Sequence, residues 1–431
     1  MNPLAAELNK KIEESAPAVM QMLSQLGQEL YYPRGILTQS AEAKEKATRC
    51  DATIGEARDH KRAIGLPAVT KHLPGVDIDE ALPYAPSSGR SDLRAAWKKE
   101  MLEKNPSLGN LPISLPIVTN GITHGLSTIS DMFIDPDDLI LVPDKLWGNY
   151  LMVFEVKRKA RVVRYPLLNV ERGFDVEGFR HTIEANCQAR KMVVLFNFPN
   201  NPTGYSINKE EAEAIKEILV SVAENGCQVI AVCDDAYFGL FYDQKTLQES
   251  LFVLLANAHP SLLAVKLDGA SKEDFAWGLR VGFITYGITD GDAIYEALEK
   301  KTAGCIRGTI SNCSNLSQTL VLKAMTDVEY RREKAARFAI LERRATKAKE
   351  ILSDPKFLKA WKLYPFTGGY FLCLRLNAID AEAFRVRLLD KYGIGVISTS
   401  NTDIRVAVSC VDEEDLADLF ETMLLCALEM L

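Results

Sequence analysis

Short apolar runs separated by stretches of helical spacing dominate the middle of the chain. LILV (139–142), ARVVRYPL (160–167), MVVLFNF (192–198), QVIAVCDD (228–235), LLAVKL (262–267) and VGFITYG (281–287) have the length and β-branched content of buried strands. Between the third and fourth, KEEAEAIKEILVSVAENG (209–226) places Ile215, Ile218, Leu219 and Val222 at the i, i+3, i+4, i+7 spacing of an amphipathic helix, and Gly226 suits its C-terminal cap. Buried strands joined by crossover helices predict an α/β fold with a mainly parallel sheet, whose ligands bind beyond the carboxyl ends of the strands. DVEYRREKAARFAILERRATKAKEIL (327–352) has no Gly or Pro and reads as one long helix leaving that sheet. GGYFLCLRL (368–376) and DIRVAVS (403–409) are strand-like and predict a smaller domain, which the N-terminal residues are expected to join.

Composition narrows the function classes. A net charge of −7 over 431 residues, with no basic stripe, argues against a surface that tracks nucleic-acid phosphates and leaves small molecules as the expected partners. Nine cysteines form no C-x-x-C pair and are odd in number, which argues against a disulfide framework or a zinc site and fits a reducing cytoplasm. The N-terminus MNPLAAELNKKIEES lacks a continuous apolar core, and no run approaches the roughly 18 apolar residues of a membrane span, so neither export nor membrane insertion is expected. The five histidines show no metal spacing, and no G-x-S-x-G elbow or G-x-G-x-x-G loop occurs. No metal is expected.

Three strand ends matter together. The run ending at Phe198 leads into PNNPTG (199–204), the run ending at Cys233 into DDAY (234–237), and the run ending at Leu267 into DGASK (268–272). Singly these are bland: NPTG is a common Asn-Pro turn, DDAY a common helix start, Lys272 a loop lysine, Trp147 core packing and Arg280 a surface ion pair. In a parallel sheet, however, the three ends share one rim, where Asn201, Asp234, Tyr237 and Lys272 can converge.

With these motifs in order, the chain resembles the fold-type I pyridoxal 5′-phosphate (PLP) aminotransferases of class I/II, the aspartate aminotransferase superfamily. The matching stretches are LPYAPSSGRSDLR (82–94), TNGITHGL (119–126), DKLWGNY (144–150), NNPTG, DDAY, SKEDFAWGLRVG (271–282) and DIRVAVS. The resemblance implies a large domain with an α/β/α sandwich plus a smaller α+β domain: residues 1–62 as N-terminal arm and first part of the small domain, 63–340 as the large PLP-binding domain, and 341–431 as the rest of the small one. Carried over by position, Lys272 would be the Schiff-base lysine and Arg280 the phosphate-gripping arginine. Asp234 would pair with the ring nitrogen, Tyr237 and Asn201 would face the ring oxygen, and Trp147 would stack on the ring. Gly121, Ile122 and Thr123 match the phosphate-cradling turn, with His124 beside it. Arg405, Gly55 and Asn201 would face the substrate. Tyr84 would reach the phosphate of a partner subunit, implying a homodimer with shared sites. Arg307, four before Ser311-Asn312, matches an arginine that binds the distal carboxylate of dicarboxylic substrates from the partner chain.

The implied chemistry is transfer of an amino group between an L-amino acid, dicarboxylic or aromatic, and a 2-oxo acid. Lys272 and Asp234 have the residue types it needs, a nucleophilic base and a carboxylate that favours a protonated ring nitrogen. A PLP-dependent lyase or decarboxylase shares these motifs, and a PLP-binding regulator shares the fold, although the residues before the first motif show no basic recognition helix. Two departures stand out. Gly269 occupies the position, three before the lysine, where the family often has a hydroxyl on the phosphate. Glu273 and Asp274 follow Lys272 directly and are expected to face outward.

Overall fold

The computed structural model describes residues 1–15, 17–31 and 35–431. Its centre is a seven-stranded sheet of β1 (Ile117–Thr119), β2 (Leu139–Pro143), β3 (Arg161–Tyr165), β4 (Lys191–Asn197), β5 (Gln228–Asp234), β6 (Leu262–Gly269) and β7 (Gly282–Gly287), in the order β1-β7-β6-β5-β4-β2-β3. Alternate residues of β4 and β5 go to opposite faces, as the two-residue period requires, and both sets are apolar. Val194, Phe196, Val229 and Ala231 join one core with Ile215 and Leu219, while Val193, Leu195, Ile230 and Val232 join another with Leu126 and Ile129. Helices therefore cover both faces. Helix α1 (Ile122–Phe133) lies on one side and α2 (Lys209–Glu224) on the other.

Local sequence sets the boundaries of these elements. Asn208 caps α2 by accepting from the Glu211 N–H at 2.8 Å, and the Glu211 carboxylate accepts from the Asn208 N–H in return. Such a cap contributes about 1 kcal/mol, while each buried Ile or Leu of the helix contributes about 1.5–3 kcal/mol, so packing holds the helix and the cap fixes where it starts.

One strand departs from the parallel pattern. β7 runs antiparallel to both β1 and β6, with Gly282 opposite Thr119 and Gly269. It therefore starts at the rim where the parallel strands end, and the residues just before it arrive at that rim from the opposite direction. The edge strand β1, which the apolar pattern does not single out, is three residues long.

Helix α3 (Asp292–Thr309) precedes the long helix α4 (Tyr330–Leu352), which leads to a four-stranded antiparallel sheet of β8 (Trp361–Leu363), β9 (Leu372–Leu376), β10 (Ile397–Ser398) and β11 (Asp403–Val406). N-terminal residues pack here. Cys50–Asp51 pairs in parallel with Ile394–Gly395, the Gln39 side chain bonds the backbone of Ser398, and Glu42 meets Arg385 at 3.0 Å. Of GGYFLCLRL, the first four residues are not strand, and Gly369 has φ +74°. This turn aims the following aromatics at the sheet rim. Among the described residues no helix is long and apolar enough to cross a membrane.

Candidate functional site

β4, β5 and β6 end in register, Asn197 opposite Asp234 and Asp234 opposite Leu267, so the segments that follow them share one rim. β1 leads to the same rim and β7 starts from it. There a cavity of about 350 Å³ opens, lined by Lys272, Asp234, Tyr237, Asn201, Arg280, Arg405, Trp147, Ile122, Thr123 and Gly55. Gly121 lies just behind, against Arg280. Tyr84 and Arg307 are not among the described lining residues. Tyr84 is 91% exposed, and Arg307 is exposed near the end of α3, where its Nη1 donates to the Ser311 hydroxyl.

Asp234 is buried at the last position of β5. Its Oδ2 accepts from the Tyr150 hydroxyl at 2.6 Å and its Oδ1 from the Ala236 N–H at 3.1 Å. Burial raises its pKa to about 6, against the lowering effect of those two bonds. Tyr150 was not singled out in the sequence. It stands three residues after Trp147 on one helical turn, the two rings 5.5 Å apart, so that spacing is the signal that could have found it.

Lys272 sits in the short helix Ala270–Glu273, and its Nζ donates to the Gly55 carbonyl at 2.7 Å. Burial, with help from the positive charges of Arg280 and Arg405, lowers its pKa to about 8. The Tyr237 hydroxyl and the Asn201 side-chain NH2 have no hydrogen-bond partner among the described residues, nor do the hydroxyls of Thr123 and Ser271, both of which line the cavity. These are free donors.

Arg405 is 1% exposed, yet no carboxylate pairs with it among the described residues. Its Nη1 donates to Asn201 Oδ1 at 3.1 Å and its Nη2 to the Thr53 carbonyl at 2.8 Å, its guanidinium lies 4.0 Å over the Phe371 ring, and its Nε has no partner. Burial lowers its pKa to about 10. A buried cation without a counter-ion is a site prepared for an anion.

A second cation stands at the N-terminus of α1. Arg280 takes a left-handed backbone (φ +56°), which costs a non-glycine residue about 1–2 kcal/mol, and its guanidinium packs on Gly121 so closely that a Cβ there would lie 2.3 Å from Nη2. Gly121, itself at φ +79°, is thus needed for both conformation and space. Helix N–H groups, an arginine and free hydroxyls converge here as they do on a phosphate. His124 does not line the cavity; its Nδ1 accepts from the Asn120 N–H at 3.0 Å and closes the turn. The groups present therefore fit PLP: a carboxylate for a ring N–H, donors for a ring oxygen, an amine for an aldehyde and an anion cradle for a phosphate.

The two departures have structural answers. A Cβ at Gly269 would lie 2.6 Å from the Val281 carbonyl oxygen and 2.7 Å from the Gly282 Cα, so the close approach of β6 and β7 excludes any side chain. The nearby Ser271 lines the cavity instead. Glu273 and Asp274 do not face outward. Glu273 meets Lys104 at 2.9 Å and Lys334 at 3.0 Å, and Asp274 accepts from Lys334 at 2.8 Å and from the Tyr330 hydroxyl at 2.7 Å. These lysines hold Glu273 down to about 2. Both negative charges are neutralised by partners other than Lys272, which makes them harmless to its amine.

The family model described as "Aminotransferase class I and II" matches residues 52–423. An arginine–pyruvate transaminase of Pseudomonas aeruginosa is 24% identical, the match covering 73% of this chain and 75% of that protein. An aspartate aminotransferase of Geobacillus stearothermophilus is 30% identical over 46% of this chain and 47% of its own length. In fold, the crystal structure of an aminotransferase from Anaerococcus prevotii superposes with a TM-score of 0.83 at 24% identity, covering 94% of this chain and 99% of the other.

Proposed function

Because the chain belongs to the class I and II aminotransferases, and so moves an amino group between an amino acid and a 2-oxo acid with PLP as cofactor, we propose which of its residues carry that work. When bound, PLP supplies an electron sink that makes the substrate Cα proton removable. Lys272 anchors the cofactor and, once released, carries the proton at Cα through its Nζ. Asp234 holds the ring N–H, with Tyr150 fixing the carboxylate. Tyr237 and Asn201 donate to the ring oxygen, and Trp147 covers one ring face. Arg280, Thr123, Ser271 and the backbone of Gly121, Ile122 and Thr123 hold the phosphate. Arg405 takes the substrate α-carboxylate, with Asn201 and Gly55 beside it. The observation that carries this reading is the buried, unpaired Arg405 facing the lowered amine of Lys272 across one cavity.

For the substrate side chain, the cavity offers Ile36, Ile54 and Phe371, an apolar wall that favours an aliphatic or aromatic donor. A dicarboxylic donor needs a further cation, for which Arg307 of a second subunit is the candidate. Arg307→Ala decides between them. If Arg307 serves, kcat/KM for aspartate or glutamate falls by roughly 2–5 kcal/mol of lost contact while aromatic donors change little. Equal losses for both classes, or none, leave an apolar-preferring enzyme.

The second subunit is itself part of this proposal. Exposed Leu82 and Tyr84, with Ile78 on the same segment, form an apolar surface that a homodimer would cover, with Tyr84 reaching the neighbouring phosphate cradle. Sedimentation at assay concentration is expected to give a dimer, and Tyr84→Phe weaker cofactor retention; a fully active monomer refutes both. The domain division 1–62, 63–340 and 341–431 is proposed with it, and hydrogen exchange that fails to protect 63–340 as one unit would overturn it. Free thiols such as Cys187 support the further proposal of a cytoplasmic location, which cell fractionation checks.

A further inference from the structure

Lys145 lies two residues beyond the end of β2, outside the cavity lining, and touches two segments at once. Its Nζ meets Asp403 Oδ2 on β11 at 2.7 Å, and its backbone carbonyl accepts from Asn200 Nδ2 at 3.0 Å. The Asp403 side chain is 1% exposed, and its Oδ1 accepts from the Tyr364 hydroxyl at 3.0 Å and the Thr402 hydroxyl at 3.1 Å. Such a buried carboxylate requires a cation, and Lys145 is the one that supplies it.

Each of the three segments joined at Lys145 delivers a site residue. Lys145 is two residues before Trp147, Asn200 is next to Asn201, and Asp403 is two before Arg405 on the same face of β11. One residue therefore spans the boundary between the large sheet and the small one beside the place where Arg405 Nη1 donates to Asn201 Oδ1. We propose that the Lys145–Asp403 ion pair is a positioning latch that sets Arg405 against Asn201 in the geometry that receives the substrate carboxylate. This rests on the reading of Arg405 given above. Without the pair, β11 is left tied to the Asn201 loop through Arg405 alone, and the guanidinium is no longer held at the angle a bidentate carboxylate needs.

The test uses Lys145→Met and Asp403→Asn in the holoenzyme. Each is expected to raise KM for the best amino-acid donor roughly tenfold, with kcat changed far less. The inhibition constant of the matching amine that lacks the carboxylate, the retention of PLP and its visible spectrum should all stay as in the parent. Lys145→Arg should recover most of the loss, and the double variant should be no worse than the worse single, as coupled partners require. If Lys145→Met does not fold, Asp403→Asn, which keeps the shape and the Tyr364 bond, carries the comparison. An unchanged KM, an equal effect on the amine, or additive single effects overturn the latch. Arg405→Lys separates the two readings. If it removes the preference for the amino acid over the amine while Lys145→Met does not, the latch alone falls; if it leaves that preference intact, the carboxylate reading falls and the latch with it.

Discussion

Lys272→Ala is expected to reduce turnover by at least about 10⁴-fold, because one atom is lost from two tasks, anchoring the cofactor and moving the Cα proton. The variant should still take up PLP through Arg280 and the α1 N-terminus, but without the visible absorption that the lysine linkage gives. A variant that keeps both turnover and that absorption refutes the assignment. The pH dependence tests the environment as well as the identity. With a pKa of about 8, half of the Lys272 amines are neutral at pH 8, where an ordinary lysine near 10.5 would be neutral in only about one molecule in 300. Only the neutral amine is nucleophilic, so cofactor capture by the apoenzyme should climb as pH rises toward 8 and level off above it. Capture that keeps rising to pH 10 would mean that burial and the two arginines do not act on this amine as the geometry requires.

The parallel core and its rim were legible because they depend on a two-residue period and on strand-end motifs. The expected strands 192–198 and 228–235 are observed as Lys191–Asn197 and Gln228–Asp234, and the amphipathic helix ends at Glu224, two residues before Gly226, which has φ +93°. The direction of β7 was not legible. A buried strand is apolar on both faces whichever way it runs, and only pairing reveals that Gly282 starts at the rim. That direction is what places Arg280 there, so a residue correctly picked out by motif owes its position to a feature the pattern could not show.

Buried charge was the other hidden layer. Lys266 sits in the run LLAVKL, where apolar periodicity leaves a lysine unexplained. It is 1% exposed and pairs with Asp235 and, at 3.1 Å, with Asp268, while Ser250 donates to Asp235 at 2.6 Å. Asp235 adjoins Asp234, and without Lys266 two neighbouring buried carboxylates would repel each other beneath the cavity. The Glu273 and Asp274 partners, Lys104 and Lys334, come from helices distant in sequence. Such pairs are long-range, and no local spacing announces them. Gly269 is similar: its lack of a side chain reads as a missing hydroxyl in one dimension and as the contact between two strands in three.

Asp234→Ala is expected to slow the amino-acid half-reaction by about 10²- to 10⁴-fold while leaving some cofactor bound, since each 1.4 kcal/mol of lost transition-state stabilisation is tenfold. The carboxylate is buried, fixed by Tyr150 and the Ala236 N–H, and burial raises its pKa to about 6 despite those bonds and the nearby charge of Lys266. A ring N–H⁺ placed against it would lower that value and in turn be held protonated, which is the state in which the ring best withdraws electrons. Alanine removes the charge but also strands the buried Tyr150 hydroxyl, a cost of about 1–3 kcal/mol to the fold that could be mistaken for a catalytic effect. Asp234→Asn separates the two, because its amide oxygen can still accept from Tyr150 while carrying no charge. If the charge does the work, the asparagine variant should be nearly as slow as the alanine variant yet unfold close to the parent temperature. An asparagine variant with the parent half-reaction rate would reduce Asp234 to a packing residue and overturn its role at the ring nitrogen.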